Sequence, residues 1–156
     1  MKIALYKGKS WMSSLIKWQT RGVYSHAAVL FNDGTVVEAW QLGGQGVRLI
    51  KDLGDKHEKG TPVDIYEVQV SKPQYDAIKE FLLNQVGKKY DWTAIIRFLT
   101  KAKGDNPDKW ICSELVFAAF AHAGIALLAR TKPHEVSPVL LGRSTHLKLL
   151  ESVETS

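Results

Sequence analysis

The apolar run Leu115-Val116-Phe117-Ala118-Ala119-Phe120-Ala121 limits the folds open to this chain more than any other stretch. A helix with no polar face has to be enclosed by other elements. A charged, breaker-rich loop at residues 101–109 precedes the run, with Gly104, Asp105, Asn106 and Pro107, and Gly124 follows it. Together these predict where the helix starts and stops. Cys112, the sole cysteine, falls in its first turn. Unpaired backbone N–H groups and the positive end of the helix dipole favour a thiolate over a thiol at that position. A lone cysteine beside an apolar run is more often a small buried hydrophobe, so the rest of the chain has to decide between the two.

A hairpin is the clearest upstream signal. Residues 23–31 and 35–40 are rich in β-formers, and Asn32-Asp33-Gly34 joins them. A three-residue loop closed by Gly34 pairs Phe31 with Thr35 and puts Ala28 opposite Glu38. His26 then lies two residues along on Glu38's face. Diagonal neighbours of this kind are about 7–8 Å apart at the backbone, within reach of an imidazole and a carboxylate. A two-residue loop would instead send the pair to opposite faces.

The remaining segments read as a mixture of strands and helices. Lys2-Ile3-Ala4-Leu5-Tyr6 alternates weakly as a short strand, and residues 10–22 carry one apolar helical face with Ser10 as N-cap. Gly43-Gly44-Gln45-Gly46 turns into a strand at residues 47–50, and the charged stretch 51–62 reads as an exposed loop. Residues 63–70 alternate cleanly. Ser71-Lys72-Pro73 opens a helix that runs to about Val86 and stops at Gly87. Asp91 caps a further helix to Leu99, Ser137-Pro138 begins a short one, and residues 145–150 form a last strand.

The 156 residues, 45% of them hydrophobic, suit one domain spanning 1–156 with a substantial core. A single cysteine excludes an internal disulfide framework. No signal peptide or membrane span is read, because the run 116–129 is broken by His122 and falls short of about 20 residues. The expected location is therefore cytoplasmic. The net charge of +5 suits anionic partners, but the basic residues are scattered and match no nucleic-acid module, so no nucleic acid is expected. His57, His122, His134 and His146 show no ligand-like spacing, so no metal or other cofactor is expected.

Cys112, His26 and Glu38 make a chemically meaningful set. A thiolate nucleophile needs an imidazole partner, and the imidazole needs a third group to orient it. On the segments Tyr24-Ser25-His26-Ala27-Ala28-Val29, Val36-Val37-Glu38-Ala39, Gly87-Lys88-Lys89-Tyr90-Asp91-Trp92, Trp110-Ile111-Cys112-Ser113-Glu114-Leu115-Val116 and Ser137-Pro138, the chain resembles the circularly permuted branch of the NlpC-type papain-like superfamily. That branch includes YiiX-like hydrolases and lecithin–retinol acyltransferase-like proteins, and the resemblance covers roughly residues 3 to 142. Cysteine precedes histidine in the ordinary arrangement; here His26 comes first, which is the permuted order. The resemblance implies an α+β fold in which an antiparallel sheet packs against a central helix bearing the cysteine. It also implies a Cys-His-Glu triad, with Tyr90 and Trp110 near the substrate.

The expected activity is that of a cysteine hydrolase, an amidase or peptidase forming an acyl-thioester at Cys112. Small peptides, including peptidoglycan-derived fragments, are the substrates the resemblance suggests, with access to the wall through a holin or a phage particle. A lipid or acyl-ester thioesterase or acyltransferase, and a non-catalytic binding module, are the alternatives.

Overall fold

The computed structural model describes residues 1–8, 22–40, 46–90 and 109–156, with the backbone alone for Tyr90, Lys109 and Trp110. In chain order the strands are β1 (Lys2–Tyr6), β2 (His26–Leu30), β3 (Val36–Trp40), β4 (Gly46–Ile50), β5 (Pro62–Glu67), β6 (Lys89–Tyr90), β7 (Lys109–Trp110) and β8 (Lys148–Glu154). The helices are α1 (Lys72–Gln85), α2 (Cys112–His122) and α3 (Pro138–Leu141), with a 3₁₀ turn at Pro133–Glu135 before α3. Six strands form one sheet in the order β4-β3-β2-β1-β5-β8, and β6 and β7 form a separate parallel pair. Every pairing in the large sheet is antiparallel. The architecture is α+β.

Local chemistry accounts for the elements that place the site. Phe31 N–H donates to the Thr35 carbonyl at 2.8 Å, Gly34 takes φ +85°, and Ala28 stands opposite Glu38. This is the register that a three-residue loop requires. Ser71 and Gln74 form a reciprocal capping box at the start of α1, with a proline in the first turn. Helix α2 begins at Cys112 and is followed by Gly124 at φ +76°.

Strands β1 to β5 are largely buried on both faces of the sheet, whereas β8 at its edge is mostly exposed. Ala27, Val29, Val37 and Ala39 pack with Cys112, Leu115, Val116 and Phe120 in one cluster, to which Ile78 and Leu82 of α1 also belong. Ala28, Leu30 and Val36 point the other way and pack with Ala4, Tyr6, Ile50, Val63 and Ile65. The segment 51–61 covers that second face, and Leu53 packs against its cluster. Helices, sheet and a long loop therefore make three layers.

Some expectations change. The segment 51–61 is no simple exposed loop, because it buries Thr61 and brings His57 inward with its side chain 7% exposed. The last strand runs Lys148–Glu154 rather than 145–150, and β5 runs Pro62–Glu67 rather than 63–70. Their ends are set by pairing with each other across a bulge between Ile65 and Tyr66, which period-two alternation does not encode. The helices expected at 10–22 and 91–99, and the turn at 43–45, lie outside the described residues.

Candidate active site

His26 and Glu38 share the alternation of Ala28, Leu30 and Val36, so their side chains leave the sheet on the face away from α2. Cys112 belongs to the cluster on the other face. The two meet because His26 is the first residue of β2, at the rim of the sheet, and Cys112 is the first residue of α2. Helix α2 packs against β2 and β3, which brings the imidazole close enough to the Cys112 side chain for the sulfur to act on its pKa, while the ring hydrogen-bonds Glu38. His26 Nε2 lies 2.7 Å from Glu38 Oε2. That leaves Nδ1 as the ring nitrogen for the sulfur.

Glu38 is completely buried. Its burial opposes the charged form, yet its pKa lies well below the usual carboxylate range because His26 and His57 surround it and hydrogen-bond to it. The guanidinium of Arg48, on the adjacent strand and directly opposite Glu38, donates from Nε to Oε1 at 2.8 Å and from Nη2 to the same oxygen. Oε2 receives His26 Nε2 and also His57 Nε2, at 3.1 Å. An ionised carboxylate only accepts, so both imidazoles present an N–H to it.

The His26 pKa is pushed up to about 10: burial opposes protonation, but the charges of Cys112 and Glu38 and the hydrogen bonds to them outweigh it. The His57 pKa moves down, because burial dominates and the neighbouring His26 adds to it, against the pull of Glu38. The two imidazoles on one carboxylate oxygen thus have opposite tendencies, one toward charge and one toward neutrality.

Aromatic rings wall the cluster. Tyr6 lies edge-on to His26 at 5.2 Å between centroids and stacks on His57 at 4.2 Å. Trp40 meets His26 and His57 edge-on, and the Arg48 guanidinium lies 4.3 Å from the Trp40 centroid. Backbone bonds hold the 51–61 segment in place: Tyr6 Oη donates to the Leu53 carbonyl and Arg48 Nη2 to the Asp55 carbonyl. At its far end Thr61 N–H donates to Thr155 Oγ1 at 2.9 Å, and Thr155 Oγ1 donates to the Glu58 carbonyl at 2.7 Å.

The structure thus brings Cys112, His26 and Glu38 into one cluster. Tyr90 and Trp110 are backbone partners in the parallel β6–β7 pair, with Trp110 two residues before the sulfur; their side chains lie outside the described residues. Arg48 and His57 carry the site's electrostatics without having been selected from sequence. Arg48 had a usable signal, since a strand opening after Gly46 and paired back on β3 sets it across from Glu38. His57 had none, because it sits in a loop with no periodicity.

His57 also reopens the question of a metal. His26 Nε2, Glu38 Oε2 and His57 Nε2 lie within 4.8 Å of one another. Two imidazoles and one carboxylate are a donor set that fits zinc-class cations.

No protein-family model matches this sequence, and no curated protein matches it. Among solved structures it is similar to the crystal structure of metalloprotein YiiX from Escherichia coli O157:H7, DUF1105, with a TM-score of 0.72. Identity is 19%, over 96% of this chain and 94% of that one. The chain therefore has a YiiX-like α+β fold. No helix among the described residues is long and apolar enough to cross a membrane.

Proposed function

We propose that the chain is a cysteine hydrolase of the permuted papain-like, NlpC-type class, cleaving an amide bond in a small peptide through an acyl-thioester at Cys112. The observation that carries this reading is His26, close enough to Cys112 for the sulfur to raise its pKa and, through Nε2, hydrogen-bonded to a buried ionised carboxylate. The Cys112 sulfur attacks the substrate carbonyl carbon, and the oxyanion meets the backbone N–H groups that open α2. Ile111, at the N-cap, offers those amides no side-chain acceptor. The intermediate collapses as His26 gives its proton to the departing amine. Water, deprotonated by His26, then hydrolyses the thioester and restores the thiolate–imidazolium pair.

Peptidoglycan-derived peptides are the substrate class the sequence resemblance favours, and the same resemblance implies Tyr90 and Trp110 near the substrate. A lipid or acyl-ester substrate would pass through the same acyl-cysteine. A cytoplasmic location belongs to this proposal.

A mixed panel of muropeptides and acyl esters, followed by intact-mass spectrometry, tests it. The expected result is a covalent acyl adduct on Cys112 and released amine products, both lost in a folded Cys112→Ala variant. Turnover retained by that variant would sink the proposal.

A metal-dependent role is the second reading. The similar structure is described as a metalloprotein, and the His26, Glu38 and His57 atoms could hold such an ion in this chain. Bound there, a zinc-class cation would supply Lewis-acid polarisation.

A further inference from the structure

We infer that His26 Nε2, Glu38 Oε2 and His57 Nε2 form a binding site for one zinc-class divalent cation, and that occupancy switches the proposed hydrolase off. Cation binding stands independently, whereas inactivation rests on the hydrolase reading.

The three donors come from separate parts of the chain: the start of β2, the middle of β3 and the loop 51–61. They converge on a single oxygen, with His26 and His57 Nε2 at 2.7 and 3.1 Å from Glu38 Oε2. A tetrahedral zinc ion with bonds of about 2.0–2.2 Å spaces its ligand atoms roughly 3.4 Å apart. The two nitrogen-to-oxygen distances therefore have to lengthen by less than about 1 Å, with the two nitrogens already within 4.8 Å of each other, to admit an ion where two N–H hydrogens now sit. The second shell is already in place. Arg48 occupies Oε1 alone, which leaves Oε2 facing the histidines and orients the carboxylate. Tyr6 and Trp40 pack against His57 and hold its ring in place. Two imidazoles with one carboxylate select zinc-class ions over magnesium or calcium, which prefer all-oxygen shells.

Inactivation follows from imidazole tautomers. A metal on Nε2 confines the single remaining ring proton to Nδ1, which faces the sulfur. His26 could release that proton only by becoming an imidazolate, so it can neither take the thiol proton nor protonate the leaving amine. The ion also takes Glu38 Oε2, the atom that orients His26. One cluster cannot serve both purposes at once.

The test titrates Zn²⁺ into metal-stripped full-length protein by calorimetry and equilibrium dialysis, with Co²⁺ as a spectroscopic probe. The expected result is one ion per chain, with binding retained in Cys112→Ala. His57→Gln should weaken binding by more than the roughly 10–100-fold that loss of an outer-shell partner costs. Co²⁺ should give d–d bands without sulfur-to-cobalt charge transfer. Failure of the wild type to bind, indifference to His57→Gln, or a sulfur charge-transfer band would each overturn the site. Should His57→Gln misfold by circular dichroism, cadmium NMR of the wild type decides, since its shift separates nitrogen and oxygen ligands from sulfur.

In the activity arm, peptide turnover by metal-stripped protein should fall in step with zinc occupancy. Turnover unchanged at saturation would overturn inactivation and leave the site. Zinc binding as expected, in a protein that never turns over or acylates Cys112, would instead sink the hydrolase reading and keep the cation site.

Discussion

Glu38 is a charge with no access to water, held by a guanidinium and two imidazoles. Removing one partner from such a buried group costs far more than the pair contributes, because the charge left behind is uncompensated. His26 reads out the balance. Its folded pKa of about 10 exceeds its ordinary 6.5, so its contribution to stability is complete below about 6.5 and is lost as pH rises through 10. For Glu38 the shift is downward, so its contribution is present above 4.5 and is lost as pH falls below that. The charge of Cys112 is the largest influence raising the His26 pKa. Imidazole titration by NMR in metal-stripped protein should therefore show His26 protonated well past neutrality in the wild type, and its midpoint falling in Cys112→Ala. An unchanged midpoint would mean that the sulfur carries no charge beside it. Cys112, His26 and Glu38 were legible because each sits on an element with its own periodicity and stop signals. Arg48 and His57 were not singled out: their importance comes from Glu38 being buried, and a strand glutamate is ordinarily solvated.

Among the elements, the strand β4 depends on one glycine. Gly46 takes φ +64°, and a Cβ there would lie 1.9 Å from the Lys88 carbonyl oxygen. That close approach lets the chain before β6 bond the open side of β4, through Val47 N–H to Lys88 O at 2.7 Å and Gly87 N–H to Val47 O at 2.8 Å. Gly46→Ala should cost at least about 1–3 kcal/mol from the left-handed backbone alone, and the clash with a carbonyl adds to it. Urea denaturation measures this, and a loss under 0.5 kcal/mol would contradict the contact. Sequence patterning found the turn glycines, the hairpin register and the limits of α1 and α2, all governed by local rules. It misjudged the ends of β5 and β8, which are decided by partners far away in the chain.

Across the whole molecule, the site depends on residues distant from it in sequence. Thr155 joins the loop bearing His57 to the end of the sheet through Thr61 and Glu58. Thr155→Val should remove both side-chain bonds while keeping the shape, at about 1–3 kcal/mol, or roughly 2–4 °C in Tm per kcal/mol. A calorimetric scan checks it; an unaltered Tm would mean the loop is held by other means. The same dispersal governs when reactivity can arise. Imidazole and carboxylate leave the ribosome early, on β2 and β3, whereas the sulfur opens a helix from the last third of the chain. During synthesis the nascent polypeptide carries an acid–base pair with nothing to activate. On the hydrolase reading proposed above, the nucleophile is assembled only once the domain has nearly closed, which would keep a half-made copy from cutting its neighbours.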